Sequence, residues 1–159
     1  MRHVIGVADM KISAQQGDLL ITHALGSCVG ITIHDEQACV GGILHYMLPL
    51  SAIAEDKAAA NPLMFGDTGI PFFFEEAYRK GARKERLRVV MAGGAQVLGD
   101  VDDTFAIGKR NIVIARKLFW KNNVLIAAEH VGGTIPRTLS LAIGSGMTHL
   151  SSRGETLPL

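Results

Sequence analysis

Two side chains able to do nucleophilic chemistry stand in the run LGSCVGITIHDEQACVGGILHYMLP, residues 25–49. Cys28 sits in a G-x-C-x-G frame with Gly26 and Gly30, and His45 lies in the second apolar run, beyond the polar stretch DEQA. A free thiol with a pKa of about 8.5 is only a few per cent thiolate at neutral pH, so sulfur needs a base beside it. An imidazole can take that proton, provided a third group holds the ring's tautomer and angle. Thr22 offers a hydroxyl for this role. A hydroxyl orients the ring but does not balance imidazolium charge as a carboxylate would. Gly26, Ser27 and Gly30 are the candidate substrate-binding and oxyanion positions. Glycine lets a substrate approach the sulfur closely, and loop N–H groups can face a developing oxyanion. Against this stands the bland alternative, since a free cysteine is more often a small buried hydrophobe and a single histidine a satisfied core residue.

Whether thiol and imidazole meet depends on the strands that carry them. In CVGITIH, Val29, Ile31 and Ile33 alternate with Cys28, Gly30, Thr32 and His34, the period of a strand with two different faces. CVGGILHYML (residues 39–48) reads as the returning strand of a β-hairpin. If Asp35 opposes Ala38, Cys28 falls directly opposite His45, on one face with Cβ atoms about 5 Å apart. Glu-Gln is not a favoured two-residue turn, so a longer loop or a bulge would make the pair diagonal. His34 shares the face of Cys28 but lies about 20 Å away along the strand. Cys39 falls near His34, which separates it from Cys28 and argues against a disulfide between them.

The rest of the chain reads as one domain, residues 1–159. HVIGVADMKIS and DLLITHAL are expected strands, and residues 50–66 an irregular excursion. DTGIPFFFEEAYRKG (67–81) is expected to be a helix capped by Asp67 or Thr68, with Ile70, Phe73, Phe74 and Ala77 on its inner face. IGKRNIVIARKLFWKNN (107–123) is a second helix, with Ile112, Ala115, Leu118 and Phe119 inward and Asn122–Asn123 at its end. RLRVVMAGGA, VLIAAEHVGG, TLSLAIGSG and MTHLSS supply further strands. Many strands with two main helices predict an α/β (α+β) sandwich in which the helices cover mixed β-sheet.

Bulk numbers exclude several classes. An apolar fraction of 48% with 19% charged residues excludes a disordered chain. A net charge of +1 argues against a surface built for nucleic acid or anionic lipid. RKGARKERLR (79–88) is locally basic and reads as a solvated helix end. Residues 37–54 form the longest uncharged run, but Pro49, the Gly41–Gly42 pair and His45 make it a buried strand and loop instead of a membrane span. No signal peptide is evident, so a cytoplasmic protein with two reduced cysteines is expected. His3, His23, His34, His130 and His149 are scattered without zinc-ligand spacing, so no metal site is expected.

THALGSCVGITIHD, GGILHYMLP, FGDTGI, GGA, IGKRN and GGTIPR occur in the order that resembles the CheD family, the chemoreceptor glutamine deamidases of bacterial chemotaxis. The resemblance runs from about Gly6 into the 140s. It implies a cysteine amidase with Cys28 as nucleophile, His45 as base and Thr22 as the orienting group, on a sandwich similar to bacterial toxin glutamine deamidases. It implies glutamines on chemoreceptor cytoplasmic helices as substrates, and a CheC-type phosphatase as a further partner. EHVGG and VVMAGGA depart from the family's usual pattern, outside the three implied site residues.

Two other readings stay open at this stage. G-x-C-x-G resembles the nucleophile elbow of α/β-hydrolases, but an elbow runs from strand through a sharp turn into helix, and β-branched VGITI follows this cysteine. A CheD-like binding module would hold receptors or a phosphatase without turnover. Release of ammonia separates it from an amidase.

Overall fold

The structure is a computed structural model that describes residues 1–96 and 106–159. Among the described residues ten strands form two five-stranded sheets. The first sheet has the order β1-β3-β8-β9-β10, from Arg2–Ile5, Leu19–Leu25, Arg137–Ala142, Thr148–Ser152 and Glu155–Pro158. The second has the order β2-β5-β4-β6-β7, from Asp9–Ser13, Val40–Tyr46, Val29–Asp35, Arg88–Gly93 and Ile126–Val131. Pairing is antiparallel except for β1 with β3 and β6 with β7, so both sheets are mixed, as expected.

Two helices, α2 (Gly66–Arg79) and α3 (Ile107–Lys121), lie on the outer face of the second sheet; a shorter α1 spans Glu55–Ala60. Val29, Ile31, Ile33, Leu44 and Tyr46 of that sheet form one core with Phe73, Phe74 and Ala77 of α2 and Ile112, Ala115 and Phe119 of α3. Its opposite face meets the first sheet, where Ile43 packs with Ile5, Leu20, Leu141 and Ile143. Hence every residue of β4 and β5 is buried, although the chain alternates in character along β4. The aliphatic face meets helices, and the face of Gly30, Thr32 and His34 meets the other sheet. In β8 only alternate residues are buried, because the first sheet has one covered face.

The structure corrects several expectations. HVIGVADMKIS is two strands in different sheets, parted by a turn in which Ala8 has φ +55°. Helix α2 begins at Gly66 after Phe65, with no side-chain cap. Asp67 instead accepts the backbone N–H and hydroxyl of Ser51, and Thr68 donates to the Pro62 carbonyl. Pro71 therefore lies inside the helix, and Phe72 faces outward while Phe73 and Phe74 are core. Residues 50–66 hold α1 between two short 3-10 turns. Strand β10 had no counterpart in the sequence reading. The basic run 79–88 is mostly solvated, but Arg86 turns inward to form a bidentate pair with the fully buried carboxylate of Asp35.

The hairpin register also differs. Asp35 pairs with Val40, leaving a four-residue loop, 36–39. Asp35 caps the Ala38 N–H, and Cys39 takes up φ +53° to close the loop. His45 thus pairs with Gly30, not Cys28. A shift of two residues keeps every side chain of the ladder on its face, so His45 still shares the face of Gly30, Thr32 and His34, and Cys28 stands one residue ahead of the last rung, Val29–Tyr46. Both cysteines are free, with Cys39 near His34 at the Ile143 carbonyl.

Candidate active site

Cys28 stands just ahead of β4, half-buried against Leu25, Ala92, Leu139 and Leu150. Its loop is pinned at three successive carbonyls. Ala95 N–H donates to Gly26 O at 2.8 Å, Asn111 Nδ2 to Ser27 O at 2.9 Å and Gly94 N–H to Cys28 O at 2.9 Å. This explains the glycine pair at the end of β6. Gly93 has φ +108°, and a Cβ there would stand 2.3 Å from Cys28 O; Gly94 has φ +65° under Ile112. A side chain at either position would displace the strand or helix next to the thiol.

His45 is fully buried on β5, and Thr22 reaches it from across the sandwich. Thr22 comes from β3, which belongs to the facing sheet and does not run alongside β4. Thr22 turns inward with Leu20, two residues earlier on β3. Between Thr22 and Leu25, β3 slips by one residue against β8, and Ala24 has φ +58°. Strict alternation would turn Thr22 and Leu25 to opposite faces; the extra residue turns Leu25 inward as well. Thr22 Oγ1 lies 2.7 Å from His45 Nδ1 and donates to the Ile5 carbonyl at 2.8 Å. A hydroxyl has one proton, and the Ile5 carbonyl can only accept. With that proton committed, Oγ1 accepts from His45, so Nδ1 carries the ring proton. Nε2 is then the basic nitrogen, and it is buried with no hydrogen-bond partner among the described residues.

Burial lowers the pKa of His45 to about 4, and burial raises that of the Cys28 thiol, partly offset by its own backbone N–H. Each shift favours the neutral form of the group concerned.

Of the three candidate oxyanion positions, Gly26 N–H is bonded to the Ala24 carbonyl. Gly30 is not at an open rim. It is buried in β4 between β5 and β6, where a Cβ would meet Leu25 and Leu139 at 3.0–3.2 Å, so its missing side chain serves the contact between sheets. Among the described residues Ser27 N–H has no backbone partner.

Two further residues shape the site without a sequence signal that singled them out. Asn111 anchors the loop before Cys28 from α3. Arg137, almost completely buried, donates to the carbonyls of Gly132 and Gly93 and to His130 Nδ1, and burial lowers its pKa. It ties the loop after β7 to the one that holds Cys28. The two residues close the motifs IGKRN and GGTIPR. Among the described residues no group of three or more His, Cys, Asp or Glu is placed to hold a metal ion, and no helix is long and apolar enough to cross a membrane.

Comparison with known proteins matches residues 47–152 to the family described as CheD chemotactic sensory transduction. Relatives extend the likeness over nearly the whole chain, the segment of Thr22, Cys28 and His45 included. The chain is 47% identical to a probable chemoreceptor glutamine deamidase CheD of Syntrophus aciditrophicus over 154 residues, 97% of this chain and 96% of that protein. It is 46% identical to one of Solibacter usitatus, over 96% of this chain and 89% of the relative. A third, of Pyrococcus abyssi, is 35% identical over 92% of this chain and 88% of its own.

Proposed function

The chain belongs to the CheD family, and from that premise we propose that it deamidates chemoreceptor glutamines with Cys28 as nucleophile, His45 as general acid and base, and Thr22 as orienting group. The observation that carries the reading is the committed Thr22 proton, which leaves His45 Nε2 basic. The thiol sulfur attacks the side-chain amide carbon while its proton passes to Nε2. The resulting imidazolium strengthens its Nδ1–H bond to Thr22. Ser27 N–H is the donor for the oxygen of the tetrahedral intermediate. Nε2 then hands its proton to the amide nitrogen, the C–N bond breaks, and ammonia leaves a thioester on Cys28. Water attacks the thioester with Nε2 as base, the C–S bond breaks, and glutamate and free thiol are restored.

The substrate is a helical segment of a receptor's cytoplasmic region, and the enzyme works in the cytoplasm. A CheC-type phosphatase is the second partner in this reading. Phe72, exposed on α2, and the segment 50–66 beside it offer that partner an apolar surface. Cys28→Ala tests the chemistry. Incubated with a receptor cytoplasmic fragment, the wild type should release ammonia and convert glutamine to glutamate, a gain of about one dalton by mass spectrometry. The variant should bind the fragment and release none. Deamidation by Cys28→Ala would refute the assignment, and a wild type that binds without turnover would leave a binding module.

A further inference from the structure

Strands β4 and β5 part company next to the site, and something has to hold them at the right separation. Their last rung is the Val29–Tyr46 pair, and one step further the strands have diverged. Asn111 of α3 is wedged into this fork. It is completely buried, and its single amide nitrogen donates to Ser27 O at 2.9 Å on one arm and to Met47 O at 2.8 Å on the other. Its own backbone carbonyl accepts the Tyr46 hydroxyl at 2.5 Å. Close approach of α3 depends on Gly108, where a Cβ would come within 2.5 Å of the Ala95 carbonyl. Ser27 precedes the nucleophile and Met47 follows His45 by two residues. One amide group therefore spans the two arms that bear the thiol and the base.

We propose that Asn111 is a positioning residue for the reaction, holding the Cys28 thiol just off the end of the ladder that carries His45. The inference rests on Cys28 and His45 being the reacting pair. Only a primary amide of this length supplies two N–H donors from one atom here. Aspartate has none, serine has one, and the longer glutamine has no room at a fully buried position. Asn111 Oδ1 supports the same view, because it is buried without a hydrogen-bond partner among the described residues. A buried amide with an idle oxygen is costly for stability alone, and a residue retained at that cost is retained for its donors.

The test compares Asn111→Asp, Asn111→Ala and Tyr46→Phe in the full chain. Tyr46→Phe loosens the same helix while leaving both bonds to the fork intact. Three quantities are read at a temperature where all variants are folded: kcat and KM on a receptor fragment, the pH profile of Cys28 alkylation by iodoacetamide, and Tm. Misplacement of a reacting group by about 1 Å lowers turnover about 100-fold. Both Asn111 variants should lose kcat on that scale with KM within about threefold, and their alkylation profile should move to that of His45→Ala. Tyr46→Phe should lower Tm and keep kcat within about threefold. Equal kcat loss in Tyr46→Phe and Asn111→Ala for equal loss of Tm would reduce Asn111 to a structural role and overturn the proposal. If Asn111→Asp does not fold, Asn111→Ala alone decides by the same criteria. Should the wild type release no ammonia, the amidase reading fails, yet alkylation still decides: an Asn111→Ala profile identical to wild type overturns the positioning role.

Discussion

Replacing Thr22 by valine keeps the shape of the residue and deletes one oxygen, which at this position takes part in two buried hydrogen bonds. In the resting enzyme the loss strands the Ile5 carbonyl and His45 Nδ1–H between the sheets. Each stranded group costs about 1–3 kcal/mol, so unfolding free energy should fall by about 2–6 kcal/mol. Catalysis loses something separate. As the imidazole gains a proton in the transition state, its bond to Thr22 changes from a neutral one of about 1 kcal/mol to a charge-assisted one of about 2 kcal/mol. That difference is about fivefold to tenfold in rate. The freed ring also populates the tautomer with its proton on Nε2, where it cannot accept from the thiol. Together they predict a fall in kcat of about 10–100-fold for Thr22→Val. Thr22→Ser, which keeps the oxygen, should stay within about threefold of wild type. The assay is ammonia release from a receptor fragment at a temperature where urea denaturation shows both variants folded. A Thr22→Val enzyme with wild-type kcat, or a Thr22→Ser enzyme as impaired as the valine variant, would refute the relay from the Ile5 carbonyl through Thr22 to His45.

Two more predictions concern charge. Because burial raises the Cys28 thiol and lowers His45 to about 4, alkylation of Cys28 by iodoacetamide should go on accelerating above pH 8.5; a plateau reached below about pH 6 would instead reveal a preformed thiolate–imidazolium pair. The same depressed histidine makes stability rise with pH between about 4 and 6.5, where the unfolded chain binds a proton that the folded one refuses. Urea midpoints at pH 5 and 7 should differ by less in His45→Gln. Asp35 gives the third test. Burial by itself would raise its pKa, but Arg86 and the N–H groups of Ala38 and Arg83 outweigh that and bring it to about 2. Asp35→Ala strands the Arg86 guanidinium and should cost about 3 kcal/mol by equilibrium denaturation. A loss below about 1 kcal/mol would mean that Arg86 finds water instead.

Residue character alone carried a good deal of this protein. The alternation of Val29, Ile31 and Ile33 with Gly30, Thr32 and His34 announced a strand with two unlike faces. Ile70, Phe73, Phe74 and Ala77 marked the buried face of one helix; Ile112, Ala115 and Phe119 did so for the other. Sequence could propose a common face for the thiol and the imidazole, because side-chain direction in a strand has a period of two and survives any even slip of register. What a period of two leaves undetermined is the slip itself. Only the four-residue loop, with Cys39 in the left-handed region, set His45 against Gly30 instead of Cys28. Contacts between layers lay further out of reach. Thr22 meets His45 through sheet-to-sheet packing, Asn111 enters the fork from a helix, and Arg86 finds Asp35 from beyond α2. None of these pairs is close in sequence or bound to its partner by a shared periodicity. Local pattern states which way a side chain points, whereas what waits there depends on how the layers close over one another. Here that closure decided which ring nitrogen of His45 is left free to act.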